Sequence, residues 1–596
     1  MRTKNIFLII LFLVAGTNLF SQDQVVHPKK WGTGTYLGLS PPLSTLPRIT
    51  EQELRDLEEQ NKENPLNEWP DPQYPYKSTA LPQGPDPVWQ NKMGAMSGSK
   101  GLEVNFAGQS SGTNPIDPNG CIGPNHYMQT INFIYTIYDR TGTVLAGPTA
   151  MNLLFGSVPG SNCNSGDPII LYDEQANRWL VAEFSLCNAN DRMLIAISQT
   201  NDPTGSWYRY SFDVDDVPDY MKFGVWRDAY YMGTNTHNAD SCDIYAFERS
   251  QMLVGGTAQM VQFDNPNRPG WYQGLQIALP ADNDGTFAPV GKPGIFMLLN
   301  NDAVAGGSDQ IWIFELAVNW TTPGSSTFSR VQQLNVPAFD SDFGYNWDNI
   351  KQQGTAQEVC SVSDLIMNIP QYRNWGSYET IVLCHTVDVD NTDHAGIRWY
   401  ELRRTSGNWS IRQSGTYAPD AHSRWMGSIH MNGHKEIGLG YSISSSSMYP
   451  GIRACGQDAI EYAKASGIMN VAEMTIQTGA QSQTWGNRWG DYSSIFVDPV
   501  NDRTFWYTTM YIGSSTHQSR IAAFNVFPTS IYVDKNAAAG GNGTIGAPIQ
   551  TVTEANNAAG PGTNIFIKSN TYDEANPMLL HENGLWQTLN GSSIVK

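Results

Sequence analysis

Between about Leu102 and Val526 the chain repeats one pattern: a short apolar or alternating run, then a break of Gly, Asn, Asp or Pro. Such runs include Tyr127–Tyr138, Ile169–Leu171, Trp179–Phe184, Met193–Ser198 and Ala229–Gly233. Further on come Gly294–Leu299, Gln310–Leu316, Thr380–His385, Ile397–Leu402, Glu436–Ser442, Ser493–Val497 and Thr504–Tyr511. Alternation bounded by turn residues predicts β-strands. No stretch of this region carries the period of a long amphipathic helix.

Within the pattern lies a weak repeat. Ile170–Trp179 and Phe496–Phe505 share D-x-x-x-[N/D]-R, as Asp173…Asn177–Arg178 and Asp498…Asp502–Arg503. A Gly–Asp step precedes each, Gly166–Asp167 and Gly490–Asp491. This predicts a hairpin: a strand leaves a glycine, turns on Asp or Asn, and returns through aromatics. Lys222–Tyr231 and Trp425–Leu439 read as shorter versions, with Gly224 and Gly427 at the strand start. Sheet units that recur far apart, each needing a neighbour to cover its faces, point to an all-β fold, a β-propeller. About seven units fit, with six or eight open. The structural rival is an array of β-sandwiches, which does not account for Gly-led strands with hairpin returns.

The flanks differ. Arg2 and Lys4, the apolar Ile6–Ala15 and the small polar residues to Ser21 predict a secretory signal over residues 1–21. Residues 22–100 form a leader with one helix from Thr50, as N-cap, to Lys62. The proline-rich Pro65–Pro87 follows, either an extended strap over the next domain or a linker. Residues 101–527 hold the propeller. Residues 528–596 form a short β-rich segment with strand-like Ile531–Val533, Ile549–Thr551 and Ile565–Ile567 and a small helix near Thr553–Ala559.

Composition narrows the function. Charged residues make up 15% of the 596, against about 25% in an average domain, while Trp (18), Tyr (27) and Gly (55) are plentiful. The formal charge is −20. Such a surface repels phosphate backbones and anionic lipid, which excludes nucleic acid and membrane-surface partners. It suits neutral sugars, proteins, or anionic polymers bridged by divalent cations. No later apolar run is long enough for a transmembrane segment, so the mature chain is expected to be secreted or at the cell surface. None of the seven cysteines forms CxxC. Cys163 and Cys187 bracket one predicted hairpin and form the expected disulfide; the odd count leaves a buried thiol.

Several segments carry a resemblance: Gly166–Asp173, Ser206–Tyr210, Leu279–Gly285, Gly396–Glu401, Arg424–Gly427 and Arg488–Ser494. Over about residues 85–527 the chain resembles a family of large, uncharacterised, exported bacterial proteins with a β-propeller-like fold. The resemblance implies fold and export, and no catalytic residues. The tail, with Tyr532–Asp534, a Gly-rich turn, Ala547–Pro548 and Asn564–Tyr572, resembles the start of a right-handed parallel β-helix of the pectate-lyase-like kind.

Candidate chemistry follows from the expected channel. Asp167 and Asp491 start inner strands, with Trp226, Trp425 and Trp489 nearby; carboxylates and aromatic faces together suit a sugar. The same residues also suit turn caps and packing between sheets. Asp388, Asp390 and Asp393 form an acidic loop that offers oxygens to structural Ca²⁺, and Asp282–Gly285 and Asp213–Asp216 are similar. None fits an EF-hand, and acidic turns are commonly solvated surface. His430 and His434 flank a turn, which argues against zinc. No P-loop, G-x-S-x-G elbow or dinucleotide fingerprint appears in a supporting context. The first reading is therefore a secreted or surface binding and scaffold protein that recognises an extracellular polysaccharide or surface protein at the channel mouth. The alternative is a carbohydrate-active enzyme, a glycoside hydrolase or polysaccharide lyase, with acids drawn from Asp167, Asp491 and their neighbours.

Overall fold

Buried strands dominate the computed structural model, which describes residues 25–62, 82, 84–95, 99–156, 164–186, 191–215, 217–235, 242–264, 277–343, 348–513, 516–574, 585–589 and 594–595. Seven sheets of four or more strands follow one another along the described chain. Sheet I comprises Asn119–Ile122, His126–Ile131, Ile134–Asp139 and Val144–Ala150. Sheet II comprises Ile169–Asp173, Arg178–Ser185, Arg192–Ser198 and Trp207–Asp213; sheet III comprises Asp219–Val225, Tyr230–Asn235, Cys242–Phe247 and Gln259–Asp264. Sheet IV contains Leu279–Pro280, Gly294–Asn300, Gln310–Ala317 and Thr327–Asn335. Sheet V contains Met367–Asn374, Glu379–Asp388, Ala395–Arg404 and Ser410–Tyr417, with Asp282–Asp284 laid parallel on its first strand. Sheet VI runs through Ser423–Met431, Ile437–Ser445, Met448–Gln457 and Val471–Gln477. Sheet VII joins Ser494–Val497, Phe505–Ile512 and His517–Pro528 to Ser99–Ser111 from before sheet I.

Each sheet is an antiparallel meander, and the first strands touch in sequence order from I to VII. The first strand of sheet VII also touches the first strand of sheet I. Sheet VII is thus finished by a strand from the other end of the region, in a register that pairs Gln518 with Ser110 and Ala522 with Asn105. Many sequential hydrogen bonds there hold the two ends together without a covalent link.

The leader covers outer edges. Val26 bridges to Phe328 of sheet IV, Lys30–Thr33 pairs with the last strand of sheet III, and Thr35–Leu39 pairs with that of sheet II. The Ile49 amide donates to Pro148 O of sheet I, and Glu58 accepts from Ser111 Oγ and Gly112 N at 2.7 Å. Unpaired edge strands invite aggregation, so a strap that pairs with them removes that hazard. The expected helix is present over Glu51–Lys62, with a reciprocal cap between Thr50 and Glu53. Most of Pro65–Pro87 lies outside the described residues. After it, Trp89–Gln90 pairs parallel with sheet V, and buried Asp86 meets buried Arg398 in an ion pair.

Three sequence expectations are corrected. Tyr127–Tyr138 is a hairpin of two strands that turns at Asn132–Phe133; with both faces of both arms buried, the lone Asn132 does not stand out as a break. Gly224 and Gly427 do not start strands; they lie inside Asp219–Val225 and Ser423–Met431. At Gly224 a Cβ would come within 2.7 Å of Ala281 O, so the glycine admits the neighbouring strand. The repeated turns, in contrast, form as hairpins. Asp173 Oδ1 accepts from Ala176 N at 2.9 Å and Asp498 Oδ1 from Val500 N at 3.0 Å, with Asn177 and Asp502 in the left-handed region.

In the tail, Ser530–Val533, Asn564–Lys568 and Leu585–Leu589 pair in parallel, aligning Ile531 with Ile565 and Ile565 with Trp586. The helix Val552–Ala558 buries Val552 and Ala555 over Ile531 and Ile565, and Ile460 of the main body joins this small core. Ile549–Thr551, expected as a strand, contributes only a single bridge, Val533 to Ile549.

Candidate functional site

The first strands run side by side, so their starts gather at one end and their first turns at the other. Asp117, Asp167, Asp219 and Asp491 meet at the starts, from sheets I, II, III and VII. The Asp491 amide donates to Asp117 Oδ1 at 2.9 Å, and the Tyr220 amide to Asp167 Oδ2 at 3.1 Å. Asn132 ties sheet I to sheet II by donating to Asp117 Oδ2 (2.6 Å) and accepting from Asp167 N (3.1 Å). Two cations sit among these acids. Arg488 pairs with Asp491, and Lys222 Nζ lies 3.6 Å from the Tyr220 ring centre and 3.8 Å from that of Tyr492.

All four carboxyls are buried. Burial pushes Asp167 up to about 8, and the nearby Asp219 and Asp491 charges add to the effect. Burial and the Asp491 charge raise Asp219 to about 7, and the same causes raise Asp117 well above the ordinary carboxylate range. Burial lowers Lys222 to about 8 against the pull of the four aspartates. The acids are answered from within by two cations and by backbone amides.

The sequence-predicted residues divide accordingly. Asp167 and Asp491 do come together, joined by Asp117 and Asp219. Trp425 and Trp489 are fully buried, with ring centres 5.5 Å apart, and they pack against each other. Trp226 follows the far end of its strand, roughly 20 Å from Asp219 at strand rise. There it packs 4.8 Å from Tyr372 and donates to Lys292 O at 3.0 Å.

That far end opens into a cleft of about 720 Å³. The first turns of all seven sheets contribute to its wall: Pro124, Glu174, Arg227, Trp375, Gly433 and Asp502 among them, with Asp284 and Gly285 from the loop between the first two strands of sheet IV and Arg373 from the end of the first strand of sheet V. Glu174 sits directly after the strand Ile169–Asp173, inside the repeated turn. Its Oε2 accepts from Gly285 N at 2.8 Å, and Gln175 donates to Gly285 O. Arg373 donates to Asp502 at 2.6 and 3.1 Å, and Asp284 accepts from Gln371. Phe287 and Trp375 add aromatic wall.

The electrostatics of this end leave a proton in place. Burial, then the Asp284 charge, pushes Glu174 up to about 8, against Arg373 and the Gly285 amide. Burial raises Asp284 as well, opposed by Arg373 and Gln371. Below them His430 is buried, with Nδ1 3.5 Å from Asp284 Oδ2. Neither of its ring nitrogens has a hydrogen-bond partner among the described residues. Burial and the Arg373 charge push its imidazole down to about 3.

Sequence reasoning quoted Asp282–Gly285 and both repeated turns but did not join them. The signal was present: Glu174 and Asp502 occupy matching hairpin turns of the repeat. Of the other predicted sites, Asp388 already accepts from the amides of Asp390, Asn391 and Asp393 at 3.0–3.1 Å, and Asp390 from Thr392 Oγ1. No group of three or more His, Cys, Asp or Glu suited to a metal occurs among the described residues. The Cys163–Cys187 pairing lies outside the described residues. Cys121, Cys360, Cys384 and Cys455 are free and buried.

Comparison with known proteins returns no matching family model and no matching curated protein. Among solved structures, the chain is similar to a protein of unknown function from Dyadobacter fermentans, at 11% identity over 60% of this chain and 94% of that one, TM-score 0.31. It is also similar to an endo-arabinase from Bacteroides thetaiotaomicron (13% identity, 48% and 92% covered, TM-score 0.24) and to the endosialidase of phage phi92 (10%, 60% and 66%, TM-score 0.33). At these identities and TM-scores the likenesses carry no argument about this chain. The class that the coordinates define is an all-β protein of several small antiparallel sheets, in which no described helix is long and apolar enough to cross a membrane.

Proposed function

We propose that the seven sheets close into a seven-bladed β-propeller and that the cleft over the first turns is the active site of an exported carbohydrate-active enzyme, a glycoside hydrolase. The succession of first-strand contacts and the strand that completes sheet VII support the ring. The observation that carries the activity is Glu174: a carboxyl in the cleft wall that keeps its proton to about 8, beside the Arg373–Asp502 pair.

Cleavage of a glycosidic bond needs an acid that protonates the leaving oxygen and a carboxylate on the other side of the sugar. Glu174 supplies the first; burial is what keeps it protonated where an exposed glutamic acid has already ionised. Asp502, fixed by two bonds from Arg373, supplies the second, and activates the attacking water. Trp375 and Phe287 offer faces to the apolar side of a sugar ring.

The test is sugar release from a panel of polysaccharides by the purified protein and by Glu174→Gln. A positioned general acid contributes about 10²–10⁴-fold, so the variant should lose at least roughly 100-fold while keeping its fold. Release should also decline above pH ~8 as Glu174 loses its proton. No release from any polysaccharide, or equal activity in the variant, overturns the reading.

A further inference from the structure

The cleft does not end at its own walls. Gly433 also lines a second groove of about 630 Å³, whose other walls include Tyr378, Arg403, Arg412, Lys435 and Tyr462. This groove runs along sheets V and VI to the helix Val552–Ala558 of the tail, where Glu554 and Asn557 face it. Lys435 stands at the junction, with Nζ 5.4 Å from the ring centre of Trp375, in the cleft, and 5.7 Å from that of Tyr378, in the groove.

The charge of this groove opposes that of the whole chain. The formal charge is −20, yet three cations line one wall. Arg403 and Arg412 share a single carboxylate, that of the fully buried Glu401: Arg403 Nη2 lies 3.3 Å from Oε1 and Arg412 Nη1 2.8 Å from Oε2. Gln413 and the Tyr462 hydroxyl complete that carboxylate's bonds, so one positive charge of the two is left over. The Arg403 guanidinium carbon lies 4.3 Å from the ring centre of Tyr378 and that of Arg412 4.1 Å from that of Tyr462, so both charges sit over aromatic faces. Lys435 meets aromatic rings and forms no ion pair among the described residues. The facing acid, Glu554, is exposed and engaged at its own helix cap with Thr551. With Glu401 and Glu554 both counted, the three cations leave one positive charge over, beside aromatic faces that flank the cleft.

We infer that the substrate is an acidic polysaccharide, whose carboxylate or sulfate groups bind Lys435, Arg403 and Arg412 in the groove while its rings lie on Trp375 and Tyr378. This rests on the reading of the cleft as a glycan site and adds the substrate class. A neutral chain would leave the surplus cation without an answering charge, which an acidic one supplies. In a chain of this net charge, the positive groove is also what directs a polyanion to this face.

The experiment measures binding by Glu174→Gln protein, which consumes the ligand at least roughly 100-fold more slowly. The probes are polygalacturonate, a sulfated galactan and an unsubstituted galactan, each at low and high salt. The expected result is at least tenfold tighter binding of one or both acidic chains, lost on raising the salt. Which acidic chain binds separates carboxylate from sulfate. Lys435→Asn, suited to the left-handed backbone there, should remove most of the preference, and Lys435→Arg should keep it. Equal binding of all three probes, or a preference unmoved by Lys435→Asn, overturns the acidic class while leaving the glycan site standing. No binding of any glycan overturns both.

Discussion

The two ends of the inner strands carry nearly the same side chains and have opposite characters. At the starts, Asp117, Asp167, Asp219 and Asp491 share Lys222 and Arg488 in a closed, buried cluster. At the first turns, Glu174, Asp284 and Asp502 share Arg373, and the group borders a cleft of about 720 Å³. Both sets contain acids pushed far above their ordinary range by burial. At the closed end the Asp117 and Asp167 carboxyls accept from the amides of Asp491 and Tyr220, so the cluster acts as a rivet among sheets I, II, III and VII. At the open end one protonated acid faces space that a ligand can fill. Perturbed carboxyls alone do not mark a site; perturbation with access does.

This contrast can be broken. Its largest expected effect is in activity: Glu174→Gln should lose at least roughly 100-fold in sugar release with its denaturation midpoint nearly unchanged, while Asp167→Asn keeps activity. The reverse pattern would exchange the roles of the two ends. Next in size is Arg488→Ala, which leaves buried Asp491 without its cation and should cost about 3–5 kcal/mol in a urea titration. A change below about 1 kcal/mol would mean that the closed cluster does not hold the sheets together.

A third outcome concerns pH. Folded, Asp167, Glu174 and Glu183 hold their protons to about 8; unfolded, such groups release them near 4. Between those values these three groups bind more protons in the native state and so lower stability as pH rises; buried His430 and His517, lowered to about 3 and about 4, oppose them only up to about 6.5, where an unfolded histidine titrates. The contribution of the three acids is complete below the unfolded values and gone above about 8. Lys222, lowered to about 8, acts in the other direction only above that pH. The melting temperature should therefore be higher at pH 5 than at pH 8, and Asp167→Asn should flatten the slope. A melting temperature that climbs from pH 5 to 8 would contradict this account. The smallest effect is expected for Trp375→Ala. Loss of one stacking face should weaken KM by roughly five- to tenfold, about 1 kcal/mol, without moving the melting temperature.

Local rules made parts of this protein legible before any coordinates. The Thr50 cap, the turn chemistry at Asp173 and Asp498, and the strand runs all depend on neighbours within a few residues. Where both arms of a hairpin are buried, as in His126–Asp139, the apolar pattern runs through the turn and hides it. Gly224 misled for a related reason: the close approach it permits comes from Ala281, far along the chain. Asp167 and Asp491 were picked out because each follows a glycine, and they do meet. Their partners Asp117 and Asp219 have no such mark, and nothing local to Glu174 shows that it faces a cleft.

The sequence by itself determined the strands, the turns, the acidic balance and the residue types at each inner strand, since these follow from short-range sterics and from counting charge. Tertiary structure alone decided which acids share a cation, which are closed over, and which border an open cleft. Those outcomes depend on desolvation and on charges brought together from sheets hundreds of residues apart, and no local pattern encodes either.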